Sequence, residues 1–360
     1  DASTFVIGVN IDRQSYKYTA KTTDEEKSST KKALLNKDFR QAISFAFDRE
    51  SYAAQANGKD GASKLIRNLY IPPTFVQADG KTFGEMVKTE LVTYGDEWKD
   101  ANLDDGQNGL YNAKQAKEEF AKAKSALEAD GVKFPIHLDM PVDQTTPSKV
   151  QRAQSFKQSV ESSLGKDNVV VDIHMVSKED LLNVTLFAAK AEDEDWDISD
   201  NVGWSPDYQD PSTYLDILKA SSGENTRTFL GFDPSENNEA AKKVGLYDFE
   251  KMLNEAGAET QDLNKRYEKY AEAQAWLTDS ALVIPTTSKT GRPFLTRVVP
   301  FSAPFGWTGG KGKDNVVYKG MKLQDKAVTT EEYNKALEKW KKEQAESVQK
   351  AQEEVKSHVK

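Results

Sequence analysis

The sequence contains no cysteine and only three histidines, His137, His174 and His358, among its 360 residues. Disulfide bonds, thiol catalysis and cysteine-ligated metal sites are therefore excluded. A histidine metal cluster is not expected either, because the three histidines are widely spaced along the chain. No apolar run approaches the roughly 20 residues that a membrane-spanning helix needs. The N-terminus also lacks the basic and then apolar pattern of a signal peptide.

An excess of positive charge is missing as well, because the formal net charge is -9 at pH 7. An acidic field repels both nucleic-acid phosphates and anionic lipid surfaces, so we predict neither as a partner. Hydrophobic residues make up 37% of the chain and aromatic residues 10%, which is typical of a folded protein. A chain of this length can bury a large core in one large domain or in two.

Strand and helix patterns alternate in the middle of the chain. Short runs rich in apolar and β-branched residues predict strands at 134–140, at 169–176 and around 196–198. Helical periodicity between them predicts helices at 149–164 and 178–190. This order predicts a βαβαβ unit with parallel strands and right-handed crossovers, and therefore an α/β fold.

Other elements follow from caps and breakers. Asn36 and Asn112 are expected to cap helices, the second one running over 113–129. Segments 13–32 and 57–109 are predicted to be mostly loop because polar residues or glycine and proline interrupt every pattern. The remaining predictions are strands at 5–10, 282–285 and 295–301, helices at 246–256 and 263–279, and a charged, solvated helix over 329–360.

The best candidate for a binding site is the stretch 195–215. A strand ends there in a loop that carries aromatic and acidic residues, and a helix is predicted to begin at Ser212. Open α/β sheets bind their ligands at the carboxyl ends of strands. The candidate ligand-contacting residues are Asn201, Val202, Gly203, Trp204, Asp207 and Tyr208.

Residues 203–211, which read GWSPDYQDP, resemble the G-W-x-x-D-Y-x-D-P signature of the large peptide-binding proteins that deliver oligopeptides to ABC importers. Residues 36–49 resemble the segment D-x-R-x-A-x-x-x-A-x-D-R that opens the second lobe in that family. Over most of its length the chain is similar to the oligopeptide-binding lipoproteins of streptococci. The resemblance implies the type II fold of periplasmic-binding-protein-like proteins, with this chain as the C-terminal part of a longer one.

The resemblance also implies a division of the chain. Residues 1–12 would form a hinge strand from the first lobe, 13–295 the second ligand-binding lobe, 296–328 the return to the first lobe, and 329–360 the charged helix. The implied function is capture of extracellular oligopeptides, enclosed between two lobes and passed to the permease subunits of an importer. We expect a monomer that is lipid-anchored at the outer face of the membrane, without catalytic activity, cofactor or metal.

The resemblance gives Asp207 the role of pairing with the α-amino group of the peptide. From the residue types alone, Trp204 and Tyr208 can form walls of the cleft. The segment 201–203 can pair with the peptide main chain as an added strand, and Gly203 allows a close approach. Opposing interpretations remain open: Asp207 as an acid that shapes a turn, and the two aromatic residues as core filling. Asp210 and Pro211 are expected to shape the turn and cap the next helix.

Alternative functions remain open too. The acidic run 192–200 resembles a metal or glycosidase cluster, although such a run is more often a solvated loop. The two strand histidines are interpreted as core or surface residues, and 183–185 matches a glycosylation pattern that lies within a predicted helix. A binder of another solute, such as a sugar or a nickel complex, would share the fold. A surface interaction protein would use the charged tail, whereas no nucleophile motif supports a hydrolase.

Overall fold

The computed structural model describes residues 2–289, 295–302 and 317–358, and the chain divides into two compact units, Asp1–Gly291 and Arg292–Lys360. The strands are β1 Thr4–Val9, β2 Gln77–Ala78, β3 Lys81–Thr82, β4 Ile136–Asp143, β5 Val169–Val176, β6 Ile198–Trp204 and β7 Val283–Pro285. The helices are α1 Asp24–Leu35, α2 Lys37–Ala46, α3 Arg49–Ala62, α4 Phe83–Leu91, α5 Ala113–Ala129, α6 Pro147–Leu164, α7 Lys178–Asn183, α8 Ser212–Leu215, α9 Thr226–Leu230, α10 Glu239–Lys243, α11 Leu246–Ala258, α12 Leu263–Ser280 and α13 Thr330–His358.

Strand β1 lies at the centre of a three-stranded antiparallel sheet of order β6-β1-β7. Apart from the half-buried Phe5, its residues are almost fully buried, as expected for a strand covered on both faces. Phe5 lies opposite Gly203 of β6, and Ile7 lies opposite Ile284 of β7. A Cβ atom on Gly203 would be 2.7 Å from the Phe5 ring and 2.9 Å from the Thr4 carbonyl oxygen. The glycine is therefore needed for strand packing within the sheet.

Strands β4 and β5 form the predicted parallel pair, and α6 connects them. The register is continuous from Ile136 opposite Val169 to Asp143 opposite Val176. The third predicted parallel strand differs, because β6 pairs antiparallel with β1. The Asp197 N–H donates to the Asp139 carbonyl at 3.0 Å, but the Asp139 N–H donates to the Asp197 carboxylate at 2.7 Å. A side chain thus takes the hydrogen bond that a parallel ladder would use.

Most of the predicted helices are confirmed, with small shifts at their ends. The side chains of Asn36 and Asn112 accept hydrogen bonds from the first turns of α2 and α5, as predicted. The helix predicted to reach residue 190 ends at Asn183, and the strand predicted at 295–301 is reduced to an isolated bridge between Val298 and Leu323.

Two helices, α1 and α4, lie in segments predicted as loop. Each begins with a capping box, in which a threonine side chain and a glutamate three residues later satisfy each other's backbone N–H groups. The pairs are Thr23 with Glu26 and Thr82 with Glu85. The loop predictions for 13–32 and 57–109 are therefore wrong at these helices, because a short polar capping signal outweighed the polar composition.

The second unit contains α13, which begins at a third capping box between Thr329 and Glu332. The ring of Phe301 stacks on Trp340 with centroids 5.2 Å apart and packs against Tyr333 at 5.6 Å. Exposed ion pairs such as Lys339–Glu343 follow the remaining surface of the helix. Among the residues described in both units, none of the helices is long and apolar enough to span a membrane.

Candidate functional site

The loop between β6 and α8 is held by Asp210. The Asp210 carboxylate receives two hydrogen bonds from the guanidinium of Arg266 on α12, both at 2.9 Å, and one from the Ser212 N–H at 3.0 Å. Burial opposes ionisation of Asp210, but the hydrogen bonds from Arg266 and Ser212 outweigh it and lower the pKa of the carboxyl. Bidentate pairs of this kind fix geometry. Asp210 therefore shapes the turn, as expected, whereas the N-cap position of α8 is Pro211 and has no side-chain capping bond.

Asp207 and Tyr208 lie at the exposed tip of this loop. The Asp207 N–H donates to Thr213 Oγ1 at 2.9 Å, which fixes its backbone, while its side chain is exposed. Tyr208 is 58% exposed, and its hydroxyl lies 3.2 Å from Ser212 Oγ. Trp204, at the end of β6, is half-buried. The tip thus presents a carboxylate and an aromatic ring to solvent, and the Tyr208 ring does not fill the core.

One edge of β6 faces away from β1. Phe5 uses its N–H and C=O on the β7 side, where they bond to Thr287 and Thr286 at 2.8 and 2.9 Å. Its opposite residue, Gly203, is therefore in a non-hydrogen-bonded pair and directs its own N–H and C=O outward. Asn201 lies at the irregularity between the Val6 and Gly8 pairs, and its N–H donates to Ser199 Oγ at 3.2 Å, so the outward edge ends at Gly203. In the part of the chain that the structure describes, β6 has no strand partner on this outer edge.

Val202 differs from the other candidate residues. Its side chain is only 4% exposed, and it lies opposite Val6, so its main-chain groups face β1. It therefore contributes to the core and does not belong to the outer edge. For Gly203, the close approach that requires glycine is to Phe5 within the sheet, and the predicted reason, approach to a ligand, is not needed to explain the residue.

The side chain of Asn201 has two side-chain partners. Its Nδ2 donates to Thr185 Oγ1 at 3.1 Å, and Lys149 Nζ donates to its Oδ1 at 3.0 Å. Lys149 lies in the first turn of α6, directly after the carboxyl end of β4. Lys149 was not predicted from the sequence, because β4 and β6 belong to different sheets and only the folded chain brings Lys149 to Asn201.

A second polar group lies behind β6. The Tyr52 hydroxyl donates to Asp200 at 3.3 Å, and the Arg152 guanidinium lies over the Tyr52 ring at 5.2 Å. Burial raises the pKa of the Asp200 carboxyl, although Arg152 and Lys149 oppose the shift. A second basic side chain, Arg152, thus lies close to Asp200, and neither Arg152 nor Tyr52 was predicted as part of a site.

Most of the acidic run 192–200 is not solvated. Asp195 and Asp197 are each only 2% exposed and bind the guanidinium of Arg13 at 2.8 and 3.0 Å. Arg13 also binds Asp139 of β4 at 2.7 Å, and Lys21 Nζ contacts both Asp139 and Asp197. We call these five residues the buried charge cluster. The solvated-loop interpretation is wrong here, because two cations from a distant loop neutralise the acids.

The strand histidines form diagonal pairs across β4 and β5. His137 Nδ1 lies 2.7 Å from Asp172, and His174 Nε2 lies 2.7 Å from Asp139, which joins His174 to the buried charge cluster. Among the described residues, no group of histidine and carboxylate side chains is arranged to hold a metal ion. The interpretation of these histidines as structural residues agrees with their pairing.

Glu194 is fully buried, and burial raises the pKa of its carboxyl to about 8 despite a hydrogen bond from Trp196. The folded protein therefore keeps a proton that the unfolded chain releases near pH 4.5. Stability is expected to fall as pH rises from about 4.5 to about 8. Glu194→Gln should remove this decline and make the variant more stable than the parent by roughly 2–4 kcal/mol at pH 9.

Urea unfolding at pH 5 and pH 9 measures this effect. Glu192→Gln is the matched control, because the Glu192 side chain is 58% exposed and pairs only with Lys190 among the residues described. An unchanged pH slope in Glu194→Gln would show that Glu194 ionises normally.

The described residues combine a parallel β–α–β pair with a three-stranded antiparallel sheet, and an acidic and aromatic loop follows the carboxyl end of β6. Residues 2–226 match the family described as bacterial extracellular solute-binding proteins, family 5 middle. The chain belongs to this family. It is a family of solute-binding proteins rather than of enzymes.

Curated relatives cover the whole chain. It is 69% identical over 360 residues to the oligopeptide-binding protein SarA of Streptococcus gordonii, matching 100% of this chain and 54% of SarA. It is 67% identical over 361 residues to the oligopeptide-binding protein AliA of Streptococcus pneumoniae, again matching 100% of this chain and 55% of AliA. The chain therefore spans about half the length of the curated relatives it matches.

Solved structures share the fold. The substrate-binding domain of an oligopeptide ABC transporter from Bacillus anthracis superposes with a TM-score of 0.55 at 22% identity, covering 83% of this chain and 47% of that one. Listeria monocytogenes OppA bound to peptide superposes with a TM-score of 0.54 at 22% identity, covering 90% of this chain and 49% of that one. These likenesses establish the periplasmic-binding-protein-like fold.

Proposed function

We propose that this chain is the ligand-binding lobe of a protein that captures oligopeptides outside the cell for an ABC importer. The observation that carries the proposal is the exposed residue Asp207 on the loop that follows the outward edge of β6 at Gly203. Every unmodified linear peptide has one α-ammonium group and a main chain that can pair with a strand edge. The names of the streptococcal relatives support the same ligand class.

Asp207 sets the register of the bound peptide. Its carboxylate pairs with the peptide ammonium, and the peptide main chain then runs antiparallel to β6 and pairs with its outer edge at Gly203. Main-chain pairing accepts any side chain, which suits capture of many peptides. Trp204 and Tyr208 form walls beside the first residues of the peptide. Val202 is left out of this contact set.

Strands β1 and β7 are proposed as the outward and return hinge strands, with 1–12 entering from the first lobe, 13–295 forming the second lobe and 296–328 leading back. Their adjacent, antiparallel arrangement supports this assignment. Ligand contacts made only when both lobes meet would shift the hinge equilibrium toward closure. Periplasmic binding proteins as a class close around their ligands in this way, and the closure requires no chemical step.

The proposed partners follow from the same role. They are oligopeptides and the permease subunits of an importer, with a lipid anchor holding a monomeric protein at the outer face of the membrane. We infer no catalysis, and no cofactor takes part in binding. The charged helix of 329–360 has no assigned role in capture.

Native mass spectrometry of the full-length gene product with a mixed peptide pool tests the proposal. We expect peptides with a free amino group to be retained and their N-acetylated counterparts to be lost, because acetylation removes the charge that Asp207 binds. Sugars and nickel complexes serve as controls of another chemical class. Retention of neither peptide set would refute the proposed function.

A further inference from the structure

One guanidinium group joins the loop between β6 and α8 to two long helices. We call residues 205–211 the Asp207 loop. Arg266, near the start of α12, donates from Nε and Nη2 to the Asp210 carboxylate of this loop, both at 2.9 Å. Its Nη1 donates at 3.0 to 3.3 Å to three carbonyl groups at the carboxyl end of α11, those of Ala256, Gly257 and Glu259. All three nitrogen atoms of the guanidinium therefore donate hydrogen bonds.

The position of Arg266 is fixed by the two helices around it. The last carbonyl groups of a helix have no partner within that helix, so the Nη1 donor satisfies groups of α11 that need one. The guanidinium carbon also lies 5.1 Å from the centroid of the Tyr270 ring of α12. The side chains of Arg266 and Asp210 are each only 18% exposed. This cation thus gives the Asp207 loop a fixed point of attachment.

The Asp210–Arg266 pair constrains where the Asp207 loop lies. Its two parallel hydrogen bonds fix both the distance and the direction between the carboxylate and the guanidinium. The Asp207 N–H donates a neutral hydrogen bond to Thr213 Oγ1 at 2.9 Å, and neutral bonds are weaker than charged ones. Asp207 precedes Asp210 by three residues, so a displacement of Asp210 reaches Asp207 through about 10 Å of chain.

We propose that Arg266 is a positioning residue for peptide capture. Through Asp210, it holds Asp207 where the carboxylate meets the α-ammonium group of the peptide. This inference rests on the proposed function, because that function gives Asp207 the role of the ammonium partner. The energy of an ion pair depends on the separation of its charges, so a displaced loop weakens the pair. Selectivity for a free amino group therefore depends on Arg266, which acts through Asp210 and not on the peptide.

A lysine in place of Arg266 separates geometry from charge. Lysine keeps the positive charge but lacks the planar fork that bonds Asp210 and the α11 carbonyl groups together. The readout is the ratio of the dissociation constants of matched N-acetylated and free-amine peptides, measured by calorimetric titration of the full-length gene product. Arg266→Lys should lower this ratio about tenfold. A smaller folded fraction weakens both peptides equally, so the ratio reports the position of Asp207 and not stability.

Two further variants make the test specific. Asp210→Asn removes the other partner of the pair and should lower the ratio by a similar factor. The double variant should lower it no further, because two residues that act as one unit give non-additive effects. Arg227→Lys is the matched control, since Arg227 on α9 forms another arginine–aspartate pair, with Asp233 at 2.6 Å. This control should leave the ratio unchanged.

The outcomes separate this inference from the proposed function. If the parent prefers free-amine peptides and Arg266→Lys keeps the full preference, Arg266 serves only the fold and the inference is wrong. Losses that add up in the double variant also overturn it, because the two residues then act independently. If Arg266→Lys does not fold, Asp210→Asn decides by the same criterion. A parent without a preference for free amines overturns the inference, whereas failure to bind any peptide refutes the proposed function as well.

Discussion

Asp207→Asn is expected to weaken peptide binding by roughly 30-fold to several thousand-fold. Truncating one partner of an enclosed charge pair costs about 2–5 kcal/mol, much of it because the other charge is left unpaired. Asparagine keeps the size of the side chain and can still accept a hydrogen bond, so the loss reports the charge. The loop itself should persist, because Asp210 and Arg266 hold it. Calorimetric titration of the full-length gene product measures the effect.

N-acetylated peptides and a second variant make this experiment specific. The parent should prefer free-amine peptides strongly, whereas Asp207→Asn should bind both forms with similar, low affinity. Asp248→Asn removes the charge of an aspartate whose side chain is 79% exposed on α11. This control variant should change neither the affinity for free-amine peptides nor the affinity for N-acetylated peptides. If Asp207→Asn retains the preference for a free amine, then another group sets the register and Asp207 only shapes the turn.

Asp139→Asn is expected to destabilise the folded chain by about 3–5 kcal/mol. The Asp139 carboxylate is fully buried and contacts Arg13, Lys21 and His174. It also receives a hydrogen bond from the Ala20 N–H at 2.8 Å. Without the Asp139 charge, the buried cations of Arg13 and Lys21 lose one of their negative partners. Leaving a buried cation without its partner costs more free energy than the intact ion pair contributes to stability. Urea unfolding followed by circular dichroism measures the change.

The pH dependence of the same variant provides a second readout. Burial opposes ionisation of Asp139, but hydrogen bonds and charges from His174, Lys21 and Arg13 outweigh it and hold the pKa well below its usual range. The stability from this group is therefore present above the unfolded pKa of about 3.9 and is lost as pH falls below it. In Asp139→Asn the free energy of unfolding should therefore fall less steeply as pH decreases below about 3.9.

An exposed pair supplies the control for the buried charge cluster. Lys251 and Asp248 lie 3.2 Å apart with side chains 75% and 79% exposed, so Asp248→Asn should change stability by about 0.2–1 kcal/mol or less. A loss in Asp139→Asn no larger than this would mean that the cluster contributes little to folding.

Local signals account for the elements that could be predicted from the sequence. The helix after Asn112 and the strand at 169–176 were predicted with the boundaries that the structure has, because an asparagine cap and a β-branched run are short-range signals. The same kind of signal began α1 and α4, where Thr23 and Thr82 precede a glutamate at the third position. The same pattern begins α13 at Thr329, so a search of the sequence for it predicts all three helices.

The pairing of strands could not be predicted in this way. The order of elements in the sequence predicted that β6 would pair with β4 or β5. Which strand pairs with β6 depends instead on which strand lies beside it in the folded protein. Strand β1, almost 200 residues earlier in the chain, occupies that edge. The residues of a strand do not specify which other strand it pairs with. Register and strand order are therefore determined by packing in the folded core.

Some features of the candidate site could likewise be predicted from the sequence, and others depend on the tertiary structure. The sequence by itself determined the loop with Asp207, Tyr208 and Asp210, because its composition and its resemblance to a family signature are local. Only the tertiary structure decided that Val202 faces the core, that Lys149 reaches Asn201, and that the acids at 195 and 197 are buried against Arg13. Those outcomes depend on charges and side chains that lie more than 50 residues apart in the chain and meet only after folding.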